Sequence, residues 1–377
     1  MRLTKLHKLL FFVGFFILIS TTLSAYTRSI RVSLLTQDPG DEIYAYFGHT
    51  AIRVTDDSLR VDQVYNYGTF DFNTPNFYTR FIKGDLDYCL SIDDFDYFVY
   101  FSNETKRTIH EQVLNLTYEE KIKLVESLDA CYTTSARYYR YDFLMNNCAT
   151  KIRDIIEEAT NKNIDFNRSG YSGKSFRQLL RPFISKNYWV EFGMNVAMGM
   201  ETDKPATPSD YMFLPIYIHD YLEECNCAEE SQVILDASPK AKDEFNFSHL
   251  SPWLIVLLLV GLSFWKKSRK IVLYFVSILF GLLGILILFF SVYSLHPALG
   301  KNLNIFWTLP AFFLLFYRSK KFNEYFKLAY ILIFAIFIGL QGIIPQELSL
   351  TYMPWMILMV IICILDLNVI RKRLFKA

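Results

Sequence analysis

Asn146-Asn147-Cys148-Ala149-Thr150-Lys151-Ile152-Arg153-Asp154 predicts a helix whose first residue is a cysteine. Asn146 or Asn147 supplies the N-cap, because a short amide side chain accepts from the free N–H groups of a first helical turn. Ile152, Ile155, Ile156 and Ala159 recur at helical spacing as the buried stripe, while Lys151, Arg153, Glu157 and Glu158 mark the wet side. A thiol at that position feels the positive end of the helix dipole, which lowers its pKa and favours the thiolate. The free backbone N–H groups around it can also receive an oxyanion.

Upstream, Tyr46-Phe47-Gly48-His49-Thr50-Ala51-Ile52-Arg53 falls within a predicted strand over 44–54. His49, Ala51 and Arg53 alternate with Gly48, Thr50 and Ile52, so the imidazole has a defined face. An imidazole next to a helix-start thiol forms an ion pair with it and activates the nucleophile. A third polar group usually orients such a histidine. Asn66, on the next predicted strand over 61–67, is the candidate, and it shares a face with Asp62 and Val64. A single cysteine at a helix start more often packs than reacts. The cysteine and histidine together, in a segment that reads as exported, point to catalysis.

The rest of that segment is α+β in pattern. A strand over 29–35 ends at the turn Thr36-Gln37-Asp38-Pro39-Gly40. Residues 75–102 are rich in aromatics and acids and read as mixed strand and loop. Thr117-x-x-Glu120 is a capping box opening a helix with Ile122, Val125 and Leu128 at helical spacing.

Several chemistries lack support. A formal net charge of +1 gives no basis for a nucleic-acid partner. No GxGxxG or P-loop pattern occurs, so no nucleotide cofactor is expected. The histidines and cysteines lack the paired spacing of zinc sites, so no metal is expected, and no G-x-S-x-G pattern offers a serine nucleophile.

The chain of 377 residues is 52% hydrophobic and 17% aromatic, and the apolar excess is segregated. Lys5, His7 and Lys8, an apolar run over 9–23 and Leu23-Ser24-Ala25 read as a signal peptide, 1–25. An uncleaved signal anchor is the alternative, and it exports the next domain equally. Residues 26–237 form the expected exported domain, 238–249 a linker and 250–377 a membrane domain. Apolar segments at 250–265, 271–293, 303–317, 328–345 and 349–367 predict five spans. The third is short and contains Pro310, so a re-entrant path is open. Lys266-Lys267-Ser268-Arg269-Lys270, Arg318-Ser319-Lys320-Lys321 and Arg371-Lys372-Arg373 fall on one side, which the positive-inside rule makes cytoplasmic. Among the six cysteines, Cys89 with Cys131 and Cys225 with Cys227 are candidate disulfides in an exported domain, with the connectivity open. Cys363 reads as membrane-helix packing, and Trp189 and Trp253 as interfacial anchors.

These motifs resemble a known family. Thr36-x-x-Pro39-Gly40, Phe47-Gly48-His49-Thr50-Ala51-Ile52-Arg53, Tyr65-Asn66-Tyr67-Gly68-Thr69-Phe70 and the Cys148 motif resemble the periplasmic domain of the Lnb-like lipoprotein N-acyltransferases of Bacteroidota. Gly173-Lys174-Ser175-Phe176-Arg177, Tyr211-Met212-Phe213-Leu214-Pro215 and the turn from His296-Pro297 to Asn304 look like that family's later motifs. The resemblance implies a permuted papain-like (NlpC-type) cysteine domain, histidine strand before cysteine helix, followed by an all-α transmembrane bundle of about five helices. It implies a bacterial inner-membrane enzyme with its catalytic domain in the periplasm. Such an enzyme takes an acyl chain from a phospholipid, holds it as a Cys148 thioester and transfers it to the N-terminal cysteine amine of a diacyl lipoprotein. Cys148, His49 and Asn66 are then the expected catalytic residues. Arg53, Asn147, Arg153, His296 and Asn302 are the expected substrate-binding residues. The competing readings are a membrane-anchored cysteine peptidase or amidase acting on cell-wall peptide, and a non-catalytic membrane scaffold.

Overall fold

The computed structural model describes residues 29–237, 247–317 and 319–367. The signal peptide, most of the linker, Arg318 and the basic cluster at 371–373 lie outside the described residues. Seven strands form one antiparallel sheet: β1 (Ile30–Gln37), β2 (His49–Asp56), β3 (Val61–Thr69), β4 (Asp87–Asp94), β5 (Ile109–Val113), β6 (Tyr138–Arg140) and β7 (Gln232–Leu235). Their order is β6-β4-β3-β2-β1-β5-β7. The helices of this domain are α1 (Phe77–Lys83), α2 (Phe95–Glu104), α3 (Tyr118–Thr133), α4 (Cys148–Ala159), α5 (Phe176–Ile184), α6 (Tyr188–Ala197) and α7 (Pro215–Glu224).

Strand alternation divides the sheet into two buried faces. Val32, Leu34, Ile52, Val54 and Tyr65 pack with Leu124, Leu128, Ile152 and Ile156 of α3 and α4. Leu35, Ala51 and Val64 form a smaller cluster with Phe98 of α2. Because both faces are covered, every residue of β1 except Arg31 is buried, the polar Ser33, Thr36 and Gln37 included. The capping boxes at Thr117 and Asn147 are both formed.

Three expectations need correction. The strand predicted over 44–54 begins only at His49, and Ile43–Ala45 is a 3-10 turn. The reason is Gly48, at φ +79°, where an added Cβ would stand 2.8 Å from the Gln37 carbonyl oxygen. The stretch 75–102 holds two helices around β4. Aromatic residues favour strands by propensity, but Phe98 and Ser102 are buried at helical spacing beneath exposed Tyr97, Tyr100 and Phe101. Cys89 and Cys131 are free thiols, and the disulfide joins Cys225 to Cys227. Cys131 instead accepts from the Tyr67 hydroxyl at 3.5 Å.

The C-terminal region is helical: α8 (Ser251–Ser263), α9 (Lys266–Tyr293), α10 (Lys320–Gly339) and α11 (Met353–Asp366). Among the described residues, Lys267–Tyr293, Pro297–Phe316 and Lys320–Gly339 are long and apolar enough to cross a bilayer, and α8 and α11 are shorter apolar helices. The middle run is a series of 3-10 turns, Pro297–Leu299, Leu303–Phe306 and Pro310–Phe316. Protein covers one side of it, where Trp307, Thr308 and Phe312 are fully buried, while Phe306, Phe313, Leu314 and Phe316 stay exposed. Gly284 of α9 admits it closely, since a Cβ there would come 2.0 Å from the Thr308 carbonyl oxygen.

Helix α6 joins the two regions. Val196 lies in the membrane-domain core with Phe280, Trp307 and Tyr352, and Phe192 packs against it. The Tyr188 hydroxyl donates to the Thr351 carbonyl at 2.6 Å and accepts from Trp355 Nε1 at 2.7 Å. The described residues 29–237 therefore share packing with the membrane helices. One of their helices belongs to the membrane core.

Candidate active site

The first residues of β2 and the start of α4 meet where β2 and β3 part. Pairing between these strands extends from Asp56↔Val61 to Ile52↔Tyr65, so His49 and Thr50 lie beyond it. Across the gap, His49 Nε2 and Asn66 Oδ1 are 3.2 Å apart. Asn66 Nδ2 donates to Asp93 Oδ2 at 2.8 Å, which fixes the amide with its oxygen toward the histidine. An amide oxygen only accepts, so Nε2 carries the imidazole proton and Nδ1 is left as the base.

Cys148 opens α4. The backbone N–H groups of Thr50, Ala149 and Cys148 itself lie near enough to its sulfur to favour the thiolate. The sulfur thus lies against the backbone of the residue that follows His49. Gly68, at a bulge in β3, lies against Cys148, where an added Cβ would stand in ordinary contact at 3.6 Å from Cys148 Cβ; its φ of +92° is what calls for glycine. Asn147 holds the helix start. Its Oδ1 accepts from the Thr150 N–H at 2.9 Å, and its Nδ2 donates to the Phe143 and Phe213 carbonyls.

The electrostatics differ from the expected thiolate–imidazolium pair. Burial pushes the Cys148 thiol up, against the three N–H groups and the Arg107 cation, which lower it. Burial and Arg107 push the His49 imidazole down to about 4, against the Asn66 hydrogen bond. The resting site therefore holds a neutral thiol and a neutral imidazole at neutral pH. The helix-dipole argument is local to one element, and desolvation by the surrounding fold outweighs it.

Two residues that sequence reasoning missed face the thiol. Arg107 is only 6% exposed. Its Nε donates to the Asp38 carbonyl at 2.9 Å, and its Nη2 has no hydrogen-bond partner among the described residues. Gly40 seats it: a Cβ there would come 3.2 Å from Arg107 Cδ. Tyr139 lies close enough to feel charge on Cys148, and its buried hydroxyl also has no partner among the described residues. Burial holds that phenol well above the usual tyrosine range, so it stays a donor. The Thr36-x-x-Pro39-Gly40 turn is the one sequence signal that touches Arg107.

Of the five expected substrate-binding residues, Asn147 adjoins the thiol as the cap of its helix, and the other four are engaged in contacts that hold the fold together. Arg53 is bound in ion pairs to Asp62 and Glu111 and stacks over Phe95, so its guanidinium braces the sheet. Asn147 is a buried cap. Arg153 pairs with Asp154 and donates to the Ser209 carbonyl. His296 lies 3.3 Å from Asp142 Oδ2 through Nδ1 and 3.1 Å from the Phe81 carbonyl through Nε2. Asn302 donates to the Val196 and Ala197 carbonyls at the end of α6. The last two tie the outer membrane turn to the exported domain, because those positions sit where the two regions touch. Among the described residues, no group of three or more His, Cys, Asp or Glu could hold a metal ion.

Two family models cover most of the chain. Residues 21–182 match the Lnb N-terminal periplasmic domain, and residues 244–373 match the Lnb transmembrane domain. No curated protein and no solved structure matches the chain.

Proposed function

The chain is an Lnb-like protein, and from that premise we propose that it is a lipoprotein N-acyltransferase of the bacterial inner membrane, working on the periplasmic side. The acyl donor is a phospholipid, and the acceptor is the α-amine of the lipid-modified N-terminal cysteine of a diacyl lipoprotein. What supports this reading is the His49–Asn66 pair on the strand whose next residue, Thr50, brings its backbone N–H near the helix-start thiol, in a domain whose α6 is packed into a membrane bundle.

Cys148 Sγ attacks the ester carbonyl while His49 Nδ1 takes the thiol proton. The tetrahedral oxyanion meets the N–H groups of Thr50, Cys148 and Ala149, with the Tyr139 hydroxyl and the Arg107 cation as further support. Collapse forms the thioester and expels the lysophospholipid alkoxide, which takes the proton from His49. The lipoprotein amine then attacks the thioester, His49 accepts its proton, and the Cys148 sulfur leaves and is reprotonated. A neutral imidazole suits both steps, since each begins with proton removal. Water must be kept out, or the thioester is hydrolysed and the enzyme becomes a phospholipase.

A cell-wall peptidase would use the same pair, but a tether needs no helix shared with a membrane core. The test is Cys148→Ala in the full chain. Mass spectrometry of lipoprotein N-terminal peptides is expected to show loss of N-acylation, and the unmodified protein is expected to carry a hydroxylamine-labile acyl group on Cys148. Normal N-acylation in the variant, or altered wall fragments instead, sinks the proposal.

A further inference from the structure

An unbroken run of aromatic rings leads from the active site to the membrane helices. Tyr44 is near enough to Arg107 to act on its charge. From Tyr44 the ring contacts pass to Phe70 at 6.2 Å, Phe72 at 5.0 Å, Phe77 at 4.9 Å and Phe81 at 6.4 Å. Phe81 in turn lies 6.3 Å from the His296 ring. The run reaches solvent at Tyr44 and Phe72, each 59% exposed, and at Phe81, 44% exposed, with Tyr78, 73% exposed, beside it, while Phe77 anchors it in the domain core. Exposed aromatics this dense on one edge of a domain mark a surface that meets something apolar.

The occupant follows from where the run ends. Helix α1, which carries Phe77, Tyr78 and Phe81, is hydrogen-bonded to the residues just past α9. The Leu295 N–H donates to the Lys83 carbonyl at 2.8 Å, and the Ser294 hydroxyl to the Ile82 carbonyl at 2.7 Å. The outer end of α9 exposes Val292 and Tyr293 immediately below. The aromatic edge is therefore continuous with the lipid-facing surface of a membrane helix, and aromatic rings are favoured at the bilayer boundary.

We propose that this edge is a lipid-binding track: one chain of a membrane phospholipid leaves the bilayer at the end of α9, lies across α1 and the Phe70–Phe72 turn, and brings its ester to Cys148. This rests on the acyltransfer reading for its purpose, but binding along the track needs no chemistry.

Photo-crosslinking separates the two. The full chain bearing Cys148→Ala is reconstituted in phosphatidylethanolamine vesicles containing a phospholipid with a photoreactive group in one acyl chain. Labels are expected on residues 70–81 as well as on the membrane helices. The added pair Tyr78→Glu and Phe81→Glu, both exposed and therefore compatible with folding, is expected to cut labelling of 70–81 by about tenfold. The same pair in the otherwise unmodified protein is expected to slow acyl-Cys148 formation from vesicle phospholipid to a similar degree. Labels confined to the membrane helices, or labelling of 70–81 indifferent to the two glutamates, overturn the track. If the track labels but no acyl group ever forms on Cys148, the acyltransfer reading falls and the track stands.

Discussion

At the residue scale the resting thiol and imidazole are both uncharged, and this separates the site from an ion-paired thiol. Burial raises the Cys148 thiol and lowers His49 to about 4. Alkylation of Cys148 by iodoacetamide is therefore expected to climb with pH through and beyond the ordinary thiol range. A preformed ion pair would already react fully in mild acid, and a flat profile from there upward would contradict the neutral site. The acid side follows from the base: acyl transfer is expected to hold steady below neutrality and to fall as pH drops through about 4, where His49 becomes protonated and can no longer accept. Tyr139→Phe offers a second measurement. Its hydroxyl is buried and has no partner among the described residues, so its removal is expected to leave thermal stability unchanged or higher. The same change is expected to slow Cys148 acylation by up to about 10²-fold as an oxyanion donor is lost. Unchanged acylation would make the hydroxyl a bystander.

At the scale of the element, what the sequence discloses is what is local. The caps at Thr117 and Asn147 form as their spacing predicts, because each involves atoms three residues apart. Asn66 has its expected face and also meets His49, but that meeting depends on how β2 and β3 part beyond Ile52 and Tyr65. Arg107 escaped notice because its surroundings come from the distant turn at 38–40 and from α4. Helix α6 could have been recognised: Trp189, Phe192 and Val196 recur at helical spacing, a stripe that suits a membrane core. Asn147→Ala tests how far α4 depends on its cap. It removes the bond to Thr150 and strips donors from the Phe143 and Phe213 carbonyls. A loss of about 2 kcal/mol is expected in denaturant unfolding. A negligible change would show that packing alone fixes the helix start.

Across the whole molecule, the exported domain and the membrane bundle are held together by a buried polar junction. Arg177 is fully enclosed, paired with Asp203, and donates to Asn195, Met198, Gly199 and Thr202. This fixes the end of α6 and the turn after it. There the Gly199 N–H donates to the Ala298 carbonyl at 2.8 Å. The fit tolerates no side chain, since a Cβ on Gly199 would stand 1.9 Å from the Gly300 carbonyl oxygen. Arg177→Met strands the Asp203 charge in the interior. Thermal unfolding of the full chain in detergent is expected to show a loss of about 3–5 kcal/mol. A melt matching the parent protein would refute the role given to this junction. The sharing of α6 also bears on handling. A water-soluble fragment ending at 237 would bare Trp189, Phe192 and Val196 to solvent and would self-associate unless a surfactant took the place of the missing helices.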